Sequence, residues 1–282
     1  KTLRLLRNER PQIIICQSPP ITCSFIAMVY KYLFVVRKRP KIIIDAHTGA
    51  ISGPWSKNIS KMIMKHASGV IVINKEQQNL LVKNYGITPI ILEDAIRDFT
   101  DILSSDNKKL GYKIEQKGIF NVGVISSFAS DEPLQAVLDA AAEMPEVYFY
   151  ITGDKKYVDK SALIRKTDNV IMTGFLEYDT YVDLLQKVDV IMDFTTDSKS
   201  LIAGAYEAVA LEQPLITSNW DSIKRYFNKG TIYTNNTSDE IRKAIMLVMT
   251  KKGELSEEMH QLKIERMEQW KKKISDYYNL FH

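Results

Sequence analysis

The sequence predicts an α/β protein built from two doubly wound parallel sheets. Short apolar runs alternate with longer amphipathic segments along almost all of its 282 residues, and this alternation is typical of a parallel sheet covered by helices. Most of the runs are continuously apolar, as expected for strands that are buried on both faces. The chain length suggests about two domains.

Turn residues separate the predicted elements. Pro11, Pro19 and Pro20 bound the first apolar run, and Pro214 prevents the helix before it from continuing. A tight turn is predicted at residues 53–55. The predicted strands are residues 13–16, 41–44, 69–74, 90–92, 118–126, 147–152, 170–172, 188–194, 215–217 and 232–233. The predicted helices are residues 1–10, 22–34, 57–66, 76–85, 134–143, 160–166, 178–186, 201–210, 221–227, 238–250 and 256–280.

A polar segment divides the predicted strands into two groups. Residues 1–98 contain four short strands and form the predicted first domain. Residues 99–117 carry charges without a clear period, so we predict that they are the interdomain linker. The other strands place the second domain at residues 118–265.

The composition narrows the class of protein. Hydrophobic residues make up 45% of the chain and charged residues 26%, as in ordinary soluble globular proteins, and no apolar run is long enough to span a bilayer. Cys16 and Cys23 are the two cysteines. One pair at this spacing indicates neither a disulfide framework nor a zinc site, and it favours a reducing cytoplasm.

The charge is distributed unevenly along the chain. Residues 1–115 hold 18 Lys or Arg and 9 Asp or Glu. The remaining residues hold 20 Lys or Arg and 25 Asp or Glu. A basic first half suggests an anionic partner. No nucleic-acid motif is present, so a membrane surface or a lipid-linked phosphate is favoured. The basic residues 37–41, beside the apolar residues 34–36, could rest on a membrane or could be a solvated charge run that caps a core helix.

Residues 193–218 show the clearest functional pattern. An apolar strand is followed by a polar loop, by a helix that starts near Leu201 or Ile202, and by a second apolar strand. Such a loop and helix N-terminus face the carboxyl edge of a parallel sheet, where ligands bind, and the free N–H groups there suit a phosphate. Glu207 lies further along the helix, where a carboxylate could accept hydrogen bonds from two ribose hydroxyls. The alternative is a carboxylate on the helix surface.

The segment from Glu207 to Ile216, EAVALEQPLI, resembles the donor-site signature of GT-B glycosyltransferases of the retaining, nucleotide-sugar type (group 1, family 4-like). The likeness extends in order over nearly the whole chain and includes DAHTGA at 45–50 and SSFASDEP at 126–133. It implies two Rossmann-like domains and a last helix, residues 266–282, that returns to complete the first domain. The family's first domain normally begins with further β/α units, so the sequence is expected to be a fragment that lacks them.

The resemblance also implies a set of site residues. Glu207 would hold the ribose, and His47, just after the second strand, would orient the donor sugar; both are predicted to be catalytic. A lone histidine is otherwise most often structural. The predicted donor-binding residues are Ser126, Ser127, Gly174, Phe175, Leu176, Lys199, Ser200, Leu201, Ile202 and Glu207, with Phe175 and Leu176 contacting the base.

Several residues depart from the family's pattern, among them Glu212, which stands where the family usually has glycine. Lys199 stands where the family usually has a glutamate that contacts the donor sugar. Ser126 and Ser127 lie where the family often has an arginine, and Glu132 stands where it often has a lysine. The serines and Glu132 are expected to weaken phosphate stabilisation, whereas Lys199 adds a cation that could neutralise phosphate.

These observations predict a glycosyltransferase that moves a sugar from a nucleotide-sugar donor, UDP- or GDP-linked, to a polysaccharide or lipid-linked acceptor. Neither a metal nor a cofactor is expected, and nucleic acid is not an expected partner. The expected location is the cytoplasm, with peripheral contact to an anionic inner membrane face. Two alternatives stay open: a non-catalytic GT-B subunit that binds nucleotide or a partner protein, and a sugar-nucleotide epimerase of the same architecture.

Overall fold

A computed structural model describes residues 1–47, 49–50, 57–104, 112–114, 120–158 and 167–281. Thr48 of the DAHTGA segment, the turn predicted at 53–55, the helix predicted at 160–166 and most of the predicted linker lie outside the described residues. The chain forms two compact units. The first comprises Lys1–Asp94 with Trp270–His282, and the second comprises Ala95–Gln269.

The first unit is built on a four-stranded parallel sheet in the order β1-β2-β3-β4. Its strands are β1 (Ile13–Ser18), β2 (Lys41–Ala46), β3 (Gly69–Val72) and β4 (Ile90–Ile91). Its helices are α1 (Thr2–Glu9), α2 (Ile21–Val29), α3 (Lys57–His66) and α4 (Lys75–Tyr85). Ile42, Ile44, Val72, Leu81 and Tyr85 form the centre of the core between sheet and helices.

The second unit is built on a six-stranded parallel sheet in the order β10-β9-β8-β5-β6-β7. Its strands are β5 (Phe120–Val124), β6 (Val147–Thr152), β7 (Val170–Gly174), β8 (Val190–Asp193), β9 (Leu215–Ser218) and β10 (Thr231–Thr234). Its helices are α5 (Thr100–Ser104), α6 (Leu134–Ala142), α7 (Tyr178–Lys187), α8 (Ala203–Leu211), α9 (Asp221–Tyr226) and α10 (Ser238–Phe281), whose last turns belong to the first unit.

The predicted fold class is confirmed, because all ten predicted strands are present in two parallel sheets with helices packed on them. Two helix predictions differ from the structure. Residues 22–34 form α2 and a π-helical segment, Tyr30–Phe34. Residues 238–281 form one helix where two were expected, because Gly253 continues the helix and buried Leu255 and Met259 on the following turns pack against the unit's core.

The segment predicted as a polar linker begins inside the second unit. Phe99 is buried in that unit's core together with Ile96, and α5 follows directly. Tyr112 and Ile114 also pack against this core. The apolar residues are too widely spaced among the charges to show a period, so the packing could not be read from the sequence.

The C-terminal turns of α10 pack on the last strand of the first sheet. Trp270 donates from Nε1 to the carbonyl of Glu93 at 3.1 Å, and the Tyr277 hydroxyl donates to the carbonyl of Ile91 at 3.0 Å. Lys273 forms an ion pair with the Glu93 carboxylate. These contacts explain why the C-terminal segment Trp270–His282 belongs to the first unit together with Lys1–Asp94. Among the described residues, no helix is both long and apolar enough to cross a membrane.

Candidate functional site

The second unit has a cleft at the carboxyl edge of its sheet. The strand order reverses between β5 and β8, and open α/β sheets bind ligands at such a switch point. The cleft has a volume of about 480 Å³, within the usual range for small-molecule sites. Its lining follows the ends of β5, β6 and β7 and the start of α7: Ile125, Ser126, Ser127, Thr152, Gly153, Asp154, Tyr157, Phe175, Leu176, Glu177, Tyr178 and Tyr181.

Four of the predicted donor-binding residues lie together in this cleft: Ser126, Ser127, Phe175 and Leu176. Gly174, another predicted donor-binding residue, ends β7 immediately before Phe175. Phe175 is 77% exposed, so it offers an aromatic face to a planar ligand such as a base. Tyr157 is 62% exposed, and Lys156 Nζ lies over its ring, 4.7 Å from the centroid. No lysine or arginine is among the described residues of the lining.

The loop after β5 forms an anion site that is occupied by the chain's own Glu132. The Glu132 carboxylate accepts hydrogen bonds from the backbone N–H groups of Ser127 and Phe128, each at 3.0 Å. The Ser127 hydroxyl donates to it at 2.6 Å, and the Ser126 hydroxyl also donates to it. The two serines therefore bind a negative side chain of the chain itself.

Gly153 allows the loops after β5 and β6 to approach closely. It has a positive φ of 119°, and an added Cβ would lie 2.4 Å from the carbonyl oxygen of Ser126 and 2.7 Å from the Phe128 ring. No side chain fits there without movement of the backbone. This contact shapes the floor of the cleft beside the Glu132 anion site.

Glu207 reaches the cleft through Tyr181. The Tyr181 hydroxyl, which belongs to a residue of the cleft lining, donates to Glu207 Oε2. Burial raises the pKa of Glu207, and the Tyr181 hydrogen bond and the charge of Arg97 oppose that rise. Arg97 also donates to the Tyr178 hydroxyl at 2.8 Å. Glu207 is therefore part of a polar cluster behind the cleft wall and is not a surface carboxylate.

Asp193 is a buried carboxylate that the sequence analysis did not single out. It ends β8 and accepts a hydrogen bond from the backbone N–H of Gly204, in the first turn of α8, at 2.8 Å. Burial raises its pKa to about 8, and the negative charges of Glu132 and Glu207 add to the effect. No local pattern in the sequence indicates this burial, because it depends on β5 and β9, the strands beside β8 in the sheet.

The loop before α8 is held by internal hydrogen bonds. Asp197 accepts from the backbone N–H of Lys199 at 3.0 Å and from the Ser200 hydroxyl at 2.5 Å. The helix begins at Ala203, one or two residues after its predicted start. Lys199, Ser200, Leu201 and Ile202 do not line the cleft itself, and Leu201 and Ile202 pack in the same core cluster as Leu176 and Tyr181 of its wall.

In the first unit, His47 lies at the carboxyl end of β2 within a small polar cluster. Its Nε2 atom is 3.2 Å from Asp45 Oδ2 and 3.2 Å from the Gln17 side-chain amide. The hydrogen bond that His47 donates to Asp45 raises the pKa of His47, burial opposes this rise, and the negative charges of Asp45 and Asp94 add to it. A histidine with a carboxylate partner is oriented for hydrogen bonding or proton transfer.

We expect Asp45→Asn to lower the pKa of His47, because it removes both the hydrogen bond to a carboxylate and a nearby charge. Asp94→Asn, which removes only the weaker charge effect, should lower it less. An NMR titration of the His47 ring protons measures both changes. Equal shifts in the two variants would contradict the assigned role of Asp45.

Among the described residues, no group of three or more His, Cys, Asp or Glu side chains could hold a metal ion. The cleft and the two carboxylates behind it thus offer hydrogen bonds, aromatic faces and a helix N-terminus. Such groups suit an organic ligand with hydroxyls and a planar ring.

Two doubly wound parallel sheets, one with an aromatic-edged cleft at its switch point, are typical of α/β proteins that bind ligands at the carboxyl ends of their strands. The sequence profile of the glycosyl transferase-like family matches residues 132–275, and the chain belongs to this family. The match covers most of the second unit and confirms the predicted resemblance.

Solved structures confirm the GT-B fold. HepE of Anabaena, in complex with UDP and glucose, has a TM-score of 0.80 at 15% identity, over 98% of this chain and 80% of HepE. Sucrose-phosphate synthase of Thermosynechococcus elongatus has a TM-score of 0.74 at 13% identity, over 99% and 75%. A glycosyltransferase of Rickettsia africae has a TM-score of 0.70 at 13% identity, over 99% and 79%. No curated protein is similar in sequence to this chain.

Proposed function

We propose that this chain is a glycosyltransferase that takes a sugar from a UDP- or GDP-linked donor and delivers it to a polysaccharide or lipid-linked acceptor. The observation that carries the proposal is the cleft of the second unit, with Phe175 at its mouth and the Tyr181–Glu207 pair behind it. Membership in a glycosyl transferase-like family supports sugar transfer. The complex of HepE with UDP and glucose supports a nucleotide-sugar donor.

In this proposal each part of the cleft has a separate task. The exposed ring of Phe175 stacks on the base, with Leu176 beside it. The Glu207 carboxylate accepts hydrogen bonds from ribose hydroxyls in place of the one from Tyr181. The positive dipole end of α8 stabilises the charge of the leaving diphosphate, while the Gly204 N–H keeps its hydrogen bond to Asp193. His47 orients the sugar during turnover, and no metal or cofactor takes part.

The proposal is tested by thermal unfolding with UDP, GDP, ADP, dTDP and CMP. A ligand at 100 times its Kd stabilises the native protein by about 2.7 kcal/mol, which raises the Tm of a unit of this size by roughly 5–10 °C. We expect a shift with one nucleoside diphosphate. Glu207→Ala should abolish that shift, because it removes the acceptor for the ribose hydroxyls.

Glu257→Ala is the matched control, since Glu257 is an exposed carboxylate on α10. This variant should keep the full nucleotide shift. The Tm of each variant without nucleotide separates loss of binding from loss of folding. A nucleotide shift that survives in Glu207→Ala would contradict the role of Glu207, and the absence of any shift in the parent protein would contradict the donor site.

One observation favours a second function, that of a non-catalytic GT-B subunit. The anion site of the loop after β5 is filled by Glu132, and Lys156, a cation that contacts the cleft lining, is already paired with Asp154 at 2.6 Å. Consumption of donor separates the two functions, because only a transferase turns over. Under the first function His47→Ala slows turnover and keeps the nucleotide shift, whereas under the second there is no turnover to lose.

A further inference from the structure

The first unit presents a strongly basic N-terminal region. Residues 1–41 contain nine Lys or Arg and one acidic residue, Glu9. Helix α1 packs against α2 and the π-helical segment Tyr30–Phe34, and none of the residues of α1 is fully buried. The basic side chains of this region therefore surround a surface that is open to a partner.

Four of these cations converge on one concavity, which we name the basic cradle. It has a volume of about 510 Å³, and Arg7, Arg10, Arg37 and Lys38 line it together with Tyr30 and Phe34. Arg10 ends α1 in the left-handed conformation, and Lys38 has a positive φ of 50° in the loop that faces it. The concavity lies where α1 ends and the chain leaves the π-helical segment.

Among the described residues, the cations of the basic cradle lack acidic partners. In the part of the chain that the structure describes, no carboxylate forms a salt bridge with Arg7, Arg10, Arg37 or Lys38. Arg7 lies over the Phe34 ring, 5.5 Å from its centroid, and this contact orients the guanidinium without neutralising it. Four unneutralised charges at one site attract an anion.

Apolar side chains project beside the basic cradle. Val36 is 90% exposed, Leu33 is 73% exposed and Phe34 is 46% exposed. Three large apolar side chains in a four-residue segment are costly to leave in water. Cations that flank exposed aliphatic and aromatic side chains match the interface of an anionic bilayer, where charges meet headgroups and apolar side chains reach the acyl boundary.

We propose that the first unit binds the surface of an anionic lipid bilayer through the basic cradle, with Leu33, Phe34 and Val36 inserted at the interface. A nucleic acid would use the four charges but would leave the aliphatic side chains without a partner. A bilayer uses both. This inference goes beyond the proposed function, because it assigns a separate surface and holds whether or not the chain transfers a sugar.

Co-sedimentation of the full chain with vesicles tests the proposal. We expect binding to vesicles that contain phosphatidylglycerol, and little binding to vesicles of phosphatidylcholine alone. Each basic residue near an anionic surface contributes about 1 kcal/mol, so Arg37→Gln with Lys38→Gln should weaken binding roughly 30-fold. The matched control is Lys271→Gln with Lys272→Gln, an exposed pair elsewhere in the same unit, which should bind like the parent.

A second variant isolates the apolar contribution. Leu33→Ser with Val36→Ser keeps every charge, and we expect it to weaken vesicle binding at physiological salt, where electrostatic attraction is screened. Equal loss in the control pair would overturn the proposal, and so would equal binding to both kinds of vesicle. If the serine variant bound like the parent and inorganic phosphate displaced the protein, the site would be a phosphate site and the membrane assignment would be wrong.

Discussion

Replacement of Gly204 by alanine is expected to destabilise the second unit by about 1–3 kcal/mol, because the new methyl group overpacks a buried site. An added Cβ would lie 2.5 Å from Ile125 Cδ1 and 2.6 Å from Asp193 Oδ2. The Asp193 carboxylate is the acceptor for the Gly204 N–H. The methyl group must therefore push away either the Ile125 side chain in the cleft wall or the Asp193 carboxylate, whose hydrogen bond to Gly204 joins β8 to α8.

The same substitution at Gly253 is the control, and its sign should be opposite. Gly253 lies within α10 and has no heavy atom within 4 Å of an added Cβ. Alanine there should stabilise the helix by up to about 1 kcal/mol, the difference in helix propensity. Urea unfolding with an unchanged m value measures both effects. Destabilisation by both substitutions, or by neither, would show that the close contact at Gly204 does not cause the change in the free energy of unfolding.

The sequence predicted the elements around Gly204 well for a local reason. The apolar residues of β8 and β9, the small residues of α8 and Pro214 each carry their own signal within a few positions. The environment of Asp193 carries no such signal, since its burial depends on β5 and β9 beside β8 in the sheet. A pattern along one strand does not reveal which strands flank it.

The Glu132 anion site was hidden for a similar reason. Ser126, Ser127 and Glu132 were noted separately as departures from a family pattern, and a pattern comparison cannot show that they bind one another. Their contact depends on the loop after β5, where Phe128 has a positive φ of 60° and its N–H donates to the carboxylate. Backbone conformation of this kind is not apparent from residue types.

The Tyr181–Glu207 hydrogen bond is another contact of the candidate site that could not be predicted from the sequence. The position of Glu207 within α8 was predicted from the sequence, and so was α7. The contact between α7 and α8 that brings Tyr181 onto Glu207 spans 26 residues. Long-range pairs of this kind depend on packing, which a local pattern in the sequence does not reveal.

The second large expected effect is a dependence of the free energy of unfolding on pH, caused by Asp193. Its pKa is about 8 in the native protein against an ordinary 3.8, so between these values the native protein keeps a proton that the unfolded chain has released. The free energy of unfolding therefore falls as the pH rises through this window, by up to about 1.4 kcal/mol per pH unit. Below pH 3.8 this contribution is fully present, and it is lost once the pH passes about 8.

Asp193→Asn should remove that pH dependence, because asparagine keeps the acceptor for the Gly204 N–H and carries no charge. We expect the variant to gain stability relative to the parent protein steadily as the pH rises from 5 towards about 8, and the difference to level off above that pH. Glu207, whose pKa is also raised, is present in both proteins, so its contribution largely cancels. Asp168→Asn, at an exposed turn, is the control and should follow the parent curve. Urea unfolding over this pH range provides the measurement, and parallel curves for the parent and Asp193→Asn would show that Asp193 is ionised in the native protein at neutral pH.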